Sequence, residues 1–260
     1  MTTTHIFMKM DIMKMDKKEA GRKALEDLDF FHQKPEATVP YFVTYARSLS
    51  PEELSEKYDG LVSLVKERDE KTSKELTPLT SENVRLYRDV CESLKQFNTI
   101  AEDYLQIMDK VSEVIADRYV TVDEQRREVP KEDYEMSLAE RLKAKFGRRP
   151  TKSVVERRVE SDNSWKRDED VRSELRKAYK LGRGCVETAK VVLDKYEALL
   201  ANDRRVDTLI NGLMTTSNDE KYAHQLKEQS SFVPPESLAF VKTVQANKNR
   251  VLENYARLLG

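Results

Sequence analysis

Between residues 87 and 122 the apolar side chains fall three and four residues apart: Tyr87, Val90, Leu94, Phe97, Ala101, Tyr104, Met108, Val111, Ile115 and Val122, with Arg118 the one interruption. That alternation returns a residue to the same side of an α-helix every turn, and a strand, with its period of two, does not satisfy it. The stretch predicts a helix of roughly 45 residues, about 65–70 Å long at ~1.5 Å per residue. Leu86, Ile100, Ile107 and Val114 add a flanking apolar row. The stripe is therefore wider than a two-stranded seam and suits a bundle in which the helix meets more than one neighbour.

The pattern recurs downstream through Val171, Leu175, Ala178, Cys185, Ala189, Val192, Tyr196, Leu199, Val206, Ile210 and Leu213, interrupted at Gly182 and Asp203. Two heptad rods of similar length are most simply an antiparallel pair. Residue numbers summing to about 292 across the pair would put Cys91 near Ala201 and Cys185 near Ile107, keeping the two thiols apart. Gly182 and Gly184 each cost a helix about 1 kcal/mol relative to Ala, so a close backbone approach or a bend is expected there. A third rod starts at Pro234-Pro235-Glu236 and carries Leu238, Val241, Leu252, Tyr255 and Leu259, with Gln245 and Lys248 interrupting its stripe. A short helix opens at Ser217-Asn218-Asp219-Glu220 between the second and third rods.

Upstream, Ser50-Pro51-Glu52-Glu53 combines a capping serine, a first-turn proline and acids that oppose the helix dipole. That helix is expected to run to about Glu75, with Leu76–Thr80 breaking it and a new start at Ser81-Glu82. Lys17–Gln33 reads as a helix capped by Asp16, and Pro40–Ser48 as a short one bearing Tyr41, Phe42 and Tyr45. The Met-rich arm 1–15 fits neither period. With only 7 glycines and 8 prolines, roughly half the usual share, long uninterrupted helices are the expectation. The fold class is all-α: an elongated, coiled-coil-like antiparallel bundle of three long helices with short N-terminal helices. Residues 1–49 form the arm, 50–124 and 168–260 the bundle, and 125–167 a connector.

The connector exceeds the 2–8 residues of an ordinary helix–helix turn. From 141 to 158 it carries Arg141, Lys143, Lys145, Arg148, Arg149, Lys152, Arg157 and Arg158 against the single acid Glu156, a net of +7 in a chain of net charge -1. Ser137 and Glu140 make a capping box, so Leu138–Phe146 reads as a short helix ended by Gly147 and Pro150, with Val154, Val155 and Val159 at helical spacing beyond it. Leu142, Lys145, Phe146, Arg149, Pro150 and Arg158 resemble the RPEL repeat, a short actin-monomer-binding motif. The resemblance covers about 17 of the 260 residues and implies contact with actin. It departs at Val154-Val155, where the repeat has glutamate-leucine, and at Glu160-Ser161, where it has isoleucine-leucine. Trp165, the only tryptophan, sits among charges and docks either on the bundle or on a partner.

No catalytic constellation stands out. His5, His32 and His224 lack helical metal-site partners, and no nucleophile elbow, phosphate loop, His-Glu-x-x-His or Cys-x-x-Cys occurs. No apolar run approaches the ~18 residues of a membrane span, and no signal peptide opens the chain. Two cysteines read as reduced core thiols. The expectation is a cytoplasmic, non-enzymatic scaffold or adaptor without cofactors, acting through protein partners and homo-oligomerisation. The alternative is a polyanion binder that uses 141–158 on nucleic acid or on an anionic membrane, the latter by fold-level analogy with three-helix BAR modules. Its candidate contact residues are the eight basic ones named above together with Trp165.

Overall fold

A computed structural model describes residues 16–32, 49–132, 135–137, 140–141, 144, 150–231, 235 and 238–260, less the side chains of 155–157. The Met-rich arm and the helix expected at 40–48 lie outside them. Among the described residues the chain is an all-α bundle with one β-hairpin. The elements are α1 (16–24), α2 (Pro51–Lys66), α3 (Glu70–Tyr119), β1 (Val120–Pro130), β2 (Thr151–Ser161), α4 (Glu169–Thr216), α5 (Glu220–Ser230) and α6 (Leu238–Leu259). They fall into two compact units, Met1–Glu26 with Met108–Leu175, and Asp27–Ile107 with Arg176–Gly260. Two helices are long, at 50 and 48 residues, whereas the expected third rod, α6, has 22.

In the unit built on 27–107 and 176–260, α2 starts where its sequence signal places it. Ser50 Oγ accepts from Glu53 N–H at 3.1 Å, and a Glu53 carboxylate oxygen accepts from Ser50 N–H at 2.7 Å. The next boundary differs from expectation: α2 stops at Lys66 and α3 begins at Glu70, passing straight through Pro78. Asp69 caps that start, its carboxylate accepting from the Thr72 N–H and hydroxyl at 3.0 and 2.7 Å. An interior proline costs a helix about 3 kcal/mol. Complete burial of Leu76 offsets that cost, and the Thr77 and Thr80 hydroxyls donate to the Ser73 and Leu76 carbonyls around the gap.

Helices α3 and α4 run antiparallel, but not at the expected offset. Asn202 Nδ2 donates to Asn83 Oδ1 at 2.6 Å and Lys195 Nζ to Ser93 Oγ at 2.7 Å, so residue numbers across the pair sum to 285 and 288, not 292. Gly184 consequently lies beside Ile100. Both cysteines are free thiols, and burial pushes that of Cys185 up to about 12. Asp219 caps α5, its Oδ1 accepting from Tyr222 N–H at 3.1 Å. On α6 the buried stripe is Leu238, Val241, Val244, Val251 and Tyr255, so Val251 takes the place expected of Leu252. At the polar interruption Gln245 Nε2 donates to the Val186 carbonyl at 2.6 Å, and Lys248 Nζ donates to Gln245 Oε1 at 3.0 Å.

In the other unit, α1 lies along the end of α3. Lys18 pairs with Glu113 at 3.1 Å and Arg22 with Asp109 at 3.3 Å, and a Cβ on Gly21 would stand 2.3 Å from the Ser112 carbonyl oxygen. Past Tyr119 the chain leaves the helix for an antiparallel ladder running from Val120↔Ser161 to Pro130↔Thr151. The helical reading of Val154, Val155 and Val159 is thereby corrected. β-Branched residues suit a pleated ladder, and Val159 stands directly opposite Val122, a pairing that spacing along one segment does not reveal. The hairpin base is closed by Asp162 N–H donating to the Tyr119 carbonyl at 2.8 Å and by the Tyr119 hydroxyl donating to Asp168 at 2.5 Å. Asp168 also caps α4, accepting from Asp170 N–H at 2.8 Å.

Candidate functional site

Three bases of the run, Lys152, Arg157 and Arg158, lie in β2 of the hairpin. Arg158 stands opposite Asp123 in the ladder, and its Nε is 2.7 Å from Glu160 Oε1; Arg157 stands opposite Glu124. Lys152 is half-buried and ion-paired with Glu135. Arg141 is helical and exposed, its Nε donating to the Met136 carbonyl at 3.2 Å. Lys143, Lys145, Arg148 and Arg149 lie outside the described residues. Across the two strands five bases (Arg126, Arg127, Lys152, Arg157, Arg158) meet five acids (Asp123, Glu124, Glu128, Glu156, Glu160), so the ribbon carries no net charge. Within β2 itself three bases meet two acids, and the remaining positive charge is balanced by the net negative charge of the facing strand. The expected capping box before the run is present: Glu140 N–H donates to Ser137 Oγ at 3.3 Å and Ser137 N–H to Glu140 at 2.8 Å. A Lys131 ion pair at 2.8 Å, followed by these Ser137 bonds, holds the Glu140 carboxyl down to about 2.

Trp165 is corrected as a partner residue. It is 2% exposed, turned inward by a 3-10 helix at Asn163–Arg167 whose cap is Asp162, the Asp162 carboxylate accepting from Ser164 N–H at 2.9 Å. A side chain so deeply covered packs the fold and presents no surface to a partner. The RPEL resemblance also loses its second half, because Val154–Arg158 are strand.

The most organised polar constellation in the described residues was not legible as a motif. Asn83 is fully buried. Its amide donates to the Tyr58 hydroxyl at 3.1 Å and to Asp203 Oδ1 at 3.0 Å, while the Tyr58 hydroxyl donates to the same carboxylate oxygen at 3.2 Å. Asn202 completes the network, donating to the Leu79 carbonyl at 2.8 Å and to Asn83. Desolvation by burial, then the neighbouring Asp207 charge, raises the Asp203 carboxyl above its usual range. Burial and Asp203 push the Tyr58 hydroxyl upward in turn. The one signal in the sequence is Asp203 itself, a charge at a seam position. Beside the network a groove of about 640 Å³ is lined by Pro78, Leu79, Glu82, Asn202, Arg205 and Leu209 among others. The network ties α2, α3 and α4 together through donors and acceptors that satisfy one another. Among the described residues no cluster of three His, Cys, Asp or Glu side chains is placed to hold a metal ion, and no helix is long and apolar enough to cross a membrane.

No protein-family model, no curated protein and no solved structure matches the chain.

Proposed function

We propose that the chain is a non-enzymatic helical scaffold or adaptor that works through protein–protein contacts, self-association among them, in a reducing, cytoplasm-like compartment. The observation that carries this reading is Phe240 on α6. Its ring is 57% exposed and lies 6.5 Å from Phe31, which packs at 6.3 Å on buried Phe97 and at 5.8 Å on buried Tyr104. A series of rings that begins in the core and ends at the surface is a rigid aromatic anchor of the kind enriched at protein interfaces. The rival polyanion reading is weakened by the charge balance of the ribbon and rests on residues 141–149.

Binding to labelled single-stranded RNA, duplex DNA and anionic liposomes, measured across a salt series, tests the choice. The scaffold reading expects no salt-sensitive binding to any of them. A steep salt dependence abolished by reversing Arg148, Arg149, Arg157 and Arg158 would overturn it in favour of the polyanion bound. In parallel, Phe240→Asp is expected to leave thermal stability unchanged while releasing co-purifying proteins.

A further inference from the structure

An apolar row flanking the main stripe of α3 is left without full cover. Leu79, Leu86, Ser93, Ile100 and Ile107 return every seven residues along the seam with α4, where Ser93 Oγ accepts from Lys195 Nζ at 2.7 Å and Ile100 lies beside Gly184. The four apolar members of the row are only half-buried. Across the seam α4 presents Gly184, Val191, Ala198 and Arg205 at the same spacing; Val191 is 46% exposed, and Ala198 and Arg205 are exposed as well. The groove of about 640 Å³ between Leu79 and Leu209 opens on this face. We infer that the face packs on the same face of a second copy of the chain, about a two-fold axis parallel to the helices, so that α3 of each copy lies antiparallel against α4 of the other in a four-helix core. This rests on the self-association in the proposed function and names its interface.

Size, charge and shape select that occupant. From Leu79 to Ile107 the face runs about 42 Å at ~1.5 Å per residue, and two helices each about 10 Å across make it roughly 800 Å² per copy, the area that a specific dimer buries. Glu75 and Asp103 are exposed on the row of α3 that borders the face, as are Lys180 and Arg205 on the α4 side; among the described residues none of the four side chains has an ion-pair or hydrogen-bond partner. Glu82 and Asp89, between the two acids, are held by Arg85 and are not called upon. A two-fold axis parallel to the helices keeps every residue at its own height. Each α3 residue then faces, in the second copy, the α4 residues it stands level with in its own, where the bonds of Asn202 to the Leu79 carbonyl and of Lys195 to Ser93 give number sums of 281 and 288. Asp103 and Lys180 sum to 283 and Glu75 and Arg205 to 280, within reach of the long basic side chains, so both unpaired acids of one copy meet unpaired bases of the other. Packing α3 against α3 would instead set the row Glu75, Glu82, Asp89 and Asp103 against itself, which like-charge repulsion rejects. Between the charged ends the short side chains of Gly184, Val191 and Ala198 let α3 of the second copy come close and cover Leu86, Ile100 and Ile107. Lys195 enters that core already bonded to Ser93 Oγ and the Asp89 carbonyl, and a polar group at a seam position fixes register.

Sedimentation equilibrium is expected to show the 30.3 kDa chain associating to a species of about twice that mass. Lys180→Glu with Arg205→Glu should weaken the association at least tenfold, and so should Glu75→Lys with Asp103→Lys. Mixed in equal amounts, the two variants should regain a dimer, since every contact at the ends is then between opposite charges. Far-ultraviolet circular dichroism confirms that each variant folds. Independently, in a Cys91→Ser background, Gln96→Cys and Val191→Cys mixed together should give a covalent dimer reversed by dithiothreitol, because facing residues of helices packed 8–10 Å apart lie within disulfide reach. Gln96→Cys alone should not, its two copies lying diagonally across the four helices. A wild-type monomer at every concentration would overturn self-association altogether. A dimer indifferent to both pairs of charge reversals and silent to cross-linking between 96 and 191 would overturn this interface and leave self-association standing.

Discussion

Gly182 and Gly184 sit two residues apart in α4, and the structure gives their replacement by alanine opposite signs. A Cβ on Gly182 would stand 2.3 Å from Phe30 Cε2, 2.8 Å from Cδ2 and 3.1 Å from Cζ. Phe30 has nowhere to retreat. It is fully buried, edge-on to Tyr104 at 5.6 Å and stacked on Tyr255 at 6.2 Å, and its main-chain N–H donates to the Tyr104 hydroxyl at 3.3 Å. Carbon–carbon contact needs about 3.5 Å, so ring or helix must shift by roughly 1 Å. Such overpacking costs about 1–3 kcal/mol, against a gain of about 1 kcal/mol in helix propensity, leaving Gly182→Ala destabilised by up to about 2 kcal/mol. On Gly184 the nearest atom is Ile100 Cγ2 at 3.5 Å, an ordinary contact, so Gly184→Ala keeps the gain of about 1 kcal/mol. At roughly 2–4 °C per kcal/mol for a chain near this size, calorimetry should find Gly182→Ala melting several degrees below Gly184→Ala, with the wild type between them. The cycle with Phe30→Ala identifies the cause. In that background the added Gly182→Ala should become neutral or stabilising, a coupling expected only of residues in contact. A Gly182→Ala variant as stable as Gly184→Ala would refute the close approach of Phe30.

Asp203→Asn is expected to raise the urea midpoint at pH 7, because an asparagine oxygen still accepts from Tyr58 and Asn83 while the desolvated charge and its repulsion from Asp207 disappear. The folded state holds this carboxyl above its ordinary value of 3.8, so its ionisation opposes folding as pH rises through the raised value. The advantage of asparagine should therefore vanish below pH 3.8, and equal midpoints at both pH values would count against the network. Trp165 should emit in the blue and resist acrylamide quenching, as its 2% exposure requires; an emission at the wavelength of free indole in water would mean that the ring is not packed.

The long helices were legible because their information is local. Tyr87, Val90, Leu94, Phe97 and their successors repeat with the period of a single helix, and the Ser50–Glu53 box is complete within four residues. The α2–α3 break was misplaced for the same reason: Pro78 is a strong local signal for an end, whereas the burial of Leu76 that overrides it belongs to the packed bundle. The hairpin was illegible because a valine pattern such as Val154, Val155 and Val159 satisfies either period over so few residues, and only the facing Val122 decides it. Eight bases in sequence look like a patch, yet a ladder places Asp123 and Glu124 directly across from Arg158 and Arg157.

By itself the sequence determined that the chain folds mainly as long helices, which face of each long helix is apolar and where the strongest cap lies, since propensity, heptad phase and capping act within a turn or two. The tertiary structure decided the offset between α3 and α4, the inward turn of Trp165, the close approach of Phe30 to Gly182 and the placing of Arg157 and Arg158 opposite Glu124 and Asp123. Each of these depends on residues brought together from distant parts of the chain, whose meeting is set by packing and strand register rather than by any local preference.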